Sequence, residues 1–199
     1  MNKKGLELSL TVIVVVIISI IILIGGIALV WKIFAGAEEI KAGIDKQTRD
    51  QIEAMLREGT ELVAIPINTK AAPAGKDAVF GLGIRNIHQT QEFYVRIDFE
   101  GIYDSKGYRL DVFPDPELIE REWLGGFQEL GPITIERNKY EVVPLRIRAG
   151  TMISSTEATP RNSLAVFNVC VFPNNPGGEC GLANKEVYDR INQVFVKIK

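Results

Sequence analysis

Two cysteines, Cys170 and Cys180, are the side chains of this sequence best suited to covalent chemistry. Between them runs Val-Phe-Pro-Asn-Asn-Pro-Gly-Gly-Glu. Its prolines and glycines permit a tight reversal, so a disulfide closing this loop is expected. A ring of that size adds roughly 2–3 kcal/mol in the loop-entropy account. Two free thiols are the alternative. A metal reading needs further Cys or His ligands nearby, and the sequence supplies none. A disulfide also calls for oxidising surroundings.

The other candidates for chemistry are weaker. His88, the one histidine, sits in Asn-Ile-His-Gln-Thr between two β-rich runs. A histidine so placed reads as a solvated turn residue rather than a base. Asp111, Asp115, Glu117, Glu120 and Glu122 form an acidic cluster. They lack the alternating Asp/Asn positions and the glycine of a calcium loop, and read as a solvated face. Gly81 and Gly83 make a lone GxG with no helix after it, which excludes a dinucleotide fingerprint. Trp123, Phe127 and Tyr103 suit either an exposed partner patch or, more commonly, a core. No Asn-x-Ser/Thr sequon occurs.

The charge is nearly balanced, with 23 Lys+Arg against 25 Asp+Glu. That gives no basic face for nucleic acid. No nucleophile–base set, cofactor fingerprint or metal cluster can be assembled. The expectation is a non-enzymatic protein without cofactors.

The elements that would position these residues fall into two textures. From Leu8 to Trp31 no residue is charged. As a helix this run spans about 36 Å, enough to cross a hydrocarbon core of roughly 30 Å. In lipid the backbone must satisfy its own hydrogen bonds, which favours helix over strand despite the Val and Ile content. Ala35-Gly36-Ala37 resembles a small-x-small cleavage site, but the apolar run is much longer than a signal peptide's ~7–15 residues. From Ala35 to Gly59 no proline occurs, and Ile40, Ile44, Ile52, Met55 and Leu56 share one helical stripe. Asp45–Arg49 and Glu53–Arg57 are favourable i, i+4 pairs, and Gly59 suits a C-cap. One continuous helix from about Leu8 to Glu58 is therefore expected, with lipid at one end and water at the other.

After Gly59, β-rich runs alternate with turn signals at 61–67, 78–85, 91–99, 133–135, 140–148, 164–172 and 187–198. With no helix between them, an antiparallel sandwich is expected. The region 101–126 reads as a long surface connection with a short helical turn. The fold class expected is α+β: a long N-terminal transmembrane helix followed by an all-β antiparallel sandwich. The divisions are a basic leader (1–5), a transmembrane helix (6–34), a helical stalk (35–59) and a β head (60–199).

Two resemblances bear on these residues. Asn2-Lys3-Lys4-Gly5 followed by Leu6-Glu7-Leu8-Ser9-Leu10 resembles the class III signal of type IV pilins and archaeal surface filaments. The resemblance implies cleavage after Gly5, with Lys4, Gly5 and Leu6 as the processing site. It also implies an assembly role for Glu7, although Glu7 would stand second in the mature chain rather than at the pilins' usual fifth place. The chain is also similar to archaeal single-pass membrane proteins, and its head to immunoglobulin-like domains of surface proteins. Lys3 and Lys4 facing Glu38 and Glu39 across the apolar run argue for a cytoplasmic N-terminus, although Lys32, Lys41, Lys46 and Arg49 lean the other way. The expectation is a single-pass plasma-membrane protein with an extracellular head. It would be either a pilin-like filament subunit or an anchored binding and adhesion module or accessory subunit. Its partners would be the lipid bilayer and either its own copies or other surface proteins.

Overall fold

A computed structural model of the chain describes residues 14–20, 22, 44–174, 180–181 and 186–199. The chain divides into two compact units, Met1–Ala42 and Gly43–Lys199. In the first, residues 14–20 and 22 are helical. Val15 and Ile22 among them are 57% and 68% exposed.

The second unit opens with helix α1, Lys46–Glu58. Its start is chemical. Asp45 holds an extended backbone, and its carboxylate accepts the Thr48 backbone N–H at 2.8 Å and the Thr48 hydroxyl at 2.9 Å. An Asp in this geometry caps a new helix. This overturns the single rod expected from Leu8 to Glu58, because Asp45 begins a helix instead of pairing with Arg49 inside one. Among the described residues no helix is long and apolar enough to cross a membrane. The transmembrane part of the expected fold class is corrected on that finding, and so is the single-pass localisation with an extracellular head. Most of the segment 6–34 lies outside the described residues.

Among the described residues eight strands follow: β1 (Val63–Ala64), β2 (Thr69–Ala72), β3 (Asp77–Arg85), β4 (Gln91–Tyr103), β5 (Glu129–Ile135), β6 (Tyr140–Arg148), β7 (Leu164–Pro173) and β8 (Asn192–Ile198). They form two sheets, in the orders β1-β3-β6 and β2-β8-β7-β4-β5. A short helix α2, Pro116–Leu118, runs into a π turn, Ile119–Trp123, within the 101–126 connection.

The all-antiparallel, immunoglobulin-like expectation is also corrected, because β2 runs parallel to β8, with Thr69 opposite Phe195. Parallel pairing needs a long crossover. Here nearly the whole unit lies between the two strands and serves as that crossover. Of the expected strand 61–67 only Val63–Ala64 is a strand, β1, and β2 begins beyond it at Thr69.

Alternation sets the core. Phe80, Leu82 and Ile84 of β3, Phe93, Val95 and Ile97 of β4, Phe167, Val169 and Val171 of β7, and Val194 and Val196 of β8 are all buried. On the opposite face of β3, Gly81 and Gly83 leave room for α1. A Cβ on Gly81 would lie 2.7 Å from Ile52 Cδ1, and one on Gly83 would meet Ile52 Cγ2. Ile52 and Leu56 fill that hollow and are fully buried. Arg85 donates from Nη1 to the Leu56 carbonyl at 2.8 Å, tying down the last turn.

Candidate functional site

The other sheet carries a polar patch on its outer face, beside the buried Cys170 and Phe172. Strand β4 alternates Phe93-Val95-Ile97 inward with Arg96 and Asp98 outward. In β7 Asn168 is the lone polar side chain between Phe167 and Val169. The register sets Asp98 opposite Asn168, and Asn168 opposite Gln193 of β8. The β4–β7 register shifts between Phe99 and Gly101, and the irregularity brings Glu100 to the same face. There Asn168 Nδ2 donates to Glu100 Oε2 at 2.8 Å, and Gln193 Nε2 donates to Asn168 Oδ1 at 3.0 Å.

Asp98 anchors this face. Its Oδ1 accepts from Arg96 Nε and from Gln128 Nε2, both at 3.0 Å. Its Oδ2 accepts the Cys180 backbone N–H at 2.6 Å and a longer bond of 3.3 Å from Arg96 Nε. The carboxylate is 18% exposed and the Arg96 side chain 22%, so the pair is shielded from water. Donors from three residues thus occupy both oxygens of the carboxylate.

Cys170 and Cys180 are joined, with their Cα atoms 5.6 Å apart. Cys170, Cys180 and Phe172 form a small buried cluster against which Val187 and Ile191 pack. The disulfide therefore carries Cys180 onto the face, where its N–H reaches Asp98.

Two grooves meet at this point. One, of about 700 Å³, is bordered by Asn68, Glu100, Asn168, Gln193 and Phe195. The other, of about 520 Å³, is bordered by Asp98, Glu100, Arg109, Pro116 and Gln128. Glu100, Asn168 and Cys180 border both.

The remaining expected residues scatter. Lys4, Gly5, Leu6 and Glu7 lie outside the described residues. His88 lies after β3, its backbone N–H donating to Asn86 Oδ1 at 2.9 Å, and its ring meets Tyr188 edge-on at 6.2 Å. Burial raises the Tyr188 phenol pKa above its ordinary value, and its hydroxyl donates to the Arg85 carbonyl at 3.0 Å. Within the acidic cluster, Asp115 caps α2 by accepting the Glu117 and Leu118 N–H groups. Among the described residues no group of three or more His, Cys, Asp and Glu could hold a metal ion. Trp123 is buried between the sheets and donates from Nε1 to the Met152 carbonyl at 2.9 Å, whereas Phe127 is 57% exposed.

Asp98, Glu100, Asn168 and Gln193 were not singled out by sequence reasoning. Two signals mark them: charged residues at alternate positions of a strong strand, and one asparagine inside an apolar run. Their convergence depends on cross-strand register, which the sequence does not display.

No protein-family model matches the chain, and no curated protein matches it. Some solved structures do. A class 5 fimbriae chaperone is 13% identical with a TM-score of 0.34, over 68% of this chain and 55% of that one. An alkylpurine DNA glycosylase from Pseudomonas fluorescens, bound to DNA containing an abasic site analogue, is 12% identical with a TM-score of 0.34, over 74% of this chain and 33% of that one. A family 123 glycoside hydrolase from Clostridium perfringens is 9% identical with a TM-score of 0.37, over 76% and 25%. The chain thus spans about half the length of the chaperone and a third or less of the two enzymes. Likenesses this distant assign no activity. The expected kinship with type IV pilins and archaeal surface proteins, and the pilin-like, cell-surface description with it, is corrected on other grounds: no family model or curated protein of that kind matches, and among the described residues there is no long apolar N-terminal helix.

Proposed function

We propose that the unit Gly43–Lys199 is a non-catalytic binding module, working alone or as an accessory subunit, that meets its partner through the outer face of the five-stranded sheet. The observation that carries this reading is the occupancy of Asp98. Both of its oxygens already accept hydrogen bonds from within the protein, so the best-placed carboxylate acts as a fixed scaffold point rather than a proton acceptor for substrate. Around it stand amides held by one another and by Glu100, an arrangement suited to rigid, preorganised recognition. The Cys170–Cys180 bond supports work in an oxidising compartment.

Prolines favour this reading over assembly by strand addition. The edge strands β5 and β6 contain Pro132 and Pro144, and Pro66 and Pro73 lie just beyond β1 and β2. A proline offers no N–H to an incoming strand, a common protection of sheet edges.

The test is partner retention on immobilised full-length protein. Asn168→Arg, which fills the face with a bulky cation, is expected to abolish retention, while Arg137→Ala in the exposed β5–β6 turn keeps it. Equal retention by both variants contradicts the reading, as does substrate turnover that Asn168→Arg abolishes.

A further inference from the structure

The larger groove has a chemistry that selects among ligands. We infer that it takes a neutral oligosaccharide. This rests on the binding-face reading above and names its ligand class.

The hydrogen-bond relay from Gln193 to Asn168 to Glu100 runs across three adjacent strands with one polarity. Each bond fixes which end of each amide is donor and which is acceptor. Among the described residues, Asn168 keeps a second N–H, Gln193 keeps a second N–H and its carbonyl, and Glu100 keeps lone pairs. Asn68 and Asn192 add further amides at the same groove. A hydroxyl donates and accepts at once, so a sugar hydroxyl matches alternating fixed donors and acceptors. Phe195, half-buried, borders the groove, and an aromatic residue there suits the C–H face of a pyranose. At about 700 Å³ the groove falls within the range of ligand sites, about 300–1,000 Å³.

The rival classes fit less well. Arg190, a cation at this groove, bonds Glu61 at 2.7 Å, and Glu100 repels an incoming anion. That disfavours phosphates, nucleic acid and sulfated glycans. An extended peptide would take its main-chain bonds from a sheet edge. Here β7 is paired on both sides by β4 and β8, and β8 by β7 and β2. The row of amides gives a purely apolar ligand no surface that it could desolvate cheaply.

The experiment is isothermal titration of the full-length chain with cellohexaose, maltohexaose, mannohexaose and chitohexaose. A heparin hexasaccharide and a mixed-sequence octapeptide serve as competitors. Saturable binding of at least one neutral hexasaccharide is expected, with a Kd of about 1 mM or tighter. Asn168→Ala and Gln193→Ala should each weaken it about tenfold, and Arg137→Ala should leave it unchanged. Circular dichroism checks that the variants fold, and Gln193→Ala carries the test if Asn168→Ala does not. No binding by any neutral hexasaccharide, or binding indifferent to both substitutions, overturns the inference. Binding of the heparin fragment or the peptide alone, with the same residue dependence, overturns the ligand class while leaving the binding face standing. Partner retention indifferent to Asn168→Arg is the separate result that removes the face itself.

Discussion

The outer faces of the two sheets have opposite fates. On the three-stranded sheet, β3 shows Gly81 and Gly83, and α1 closes over them with Ile52 and Leu56. On the five-stranded sheet, β4, β7 and β8 show Asp98, Asn168 and Gln193, and grooves open there. Both faces grow from the same two-residue alternation, with large apolar side chains turned to the shared core. What differs is the residue placed at the outward positions. Glycine invites a helix to approach the backbone, and Cys170 and Phe172 are covered in their turn, whereas the amides and carboxylates beside them, held by one another, resist being covered by anything apolar.

Breaking the closed face should have the largest effect. Leu56→Ala empties the hollow over Gly83 and is expected to cost about 3 kcal/mol, measured by urea unfolding at neutral pH. Opening the Cys170–Cys180 ring with paired serines tests the other face. It should cost about 2.5 kcal/mol and also release the Cys180 N–H from Asp98, visible as faster amide exchange at Cys180. Gly83→Val pushes α1 outward from beneath and is expected to cost about 2 kcal/mol, with loss of protection across Lys46–Glu58. A stability unchanged by Gly83→Val would mean that the helix does not depend on that hollow.

The smallest effect is a pH dependence. The Thr48 backbone N–H, and then the Thr48 hydroxyl, hold the Asp45 carboxyl below its ordinary pKa. A carboxyl depressed on folding contributes stability above its unfolded pKa of about 4. That contribution is lost as pH falls through the folded value. Asp45→Asn keeps a cap and removes this part of the acid sensitivity. Unfolding midpoints of wild type and variant should therefore converge on acidification, and a constant gap between them from pH 7 to pH 2 would count against the cap.

Much of the β unit could be read from the sequence, for a physical reason. The runs around Phe93–Phe99, Tyr140–Arg148 and Leu164–Phe172 alternate or concentrate apolar residues strongly enough to declare strands. The short strand Thr69–Ala72 has no such run, and its parallel pairing with β8 rests on contacts more than a hundred residues apart. The stalk's apolar stripe shows a helix but not where it begins. One side-chain cap at Asp45 decides that, against a helical propensity that permits continuation. The disulfide could be read because its ends stand only ten positions apart. Asp98, Asn168 and Gln193 span three strands, and only their register brings them together.

The most direct test of the contrast is amide chemical-shift mapping of the full-length chain, titrated with the four neutral hexasaccharides. Shifts are expected to gather on Asp98, Glu100, Asn168, Gln193 and their strand neighbours, with Lys46–Glu58 silent. Shifts centred on α1, or none with any of the four, would contradict it.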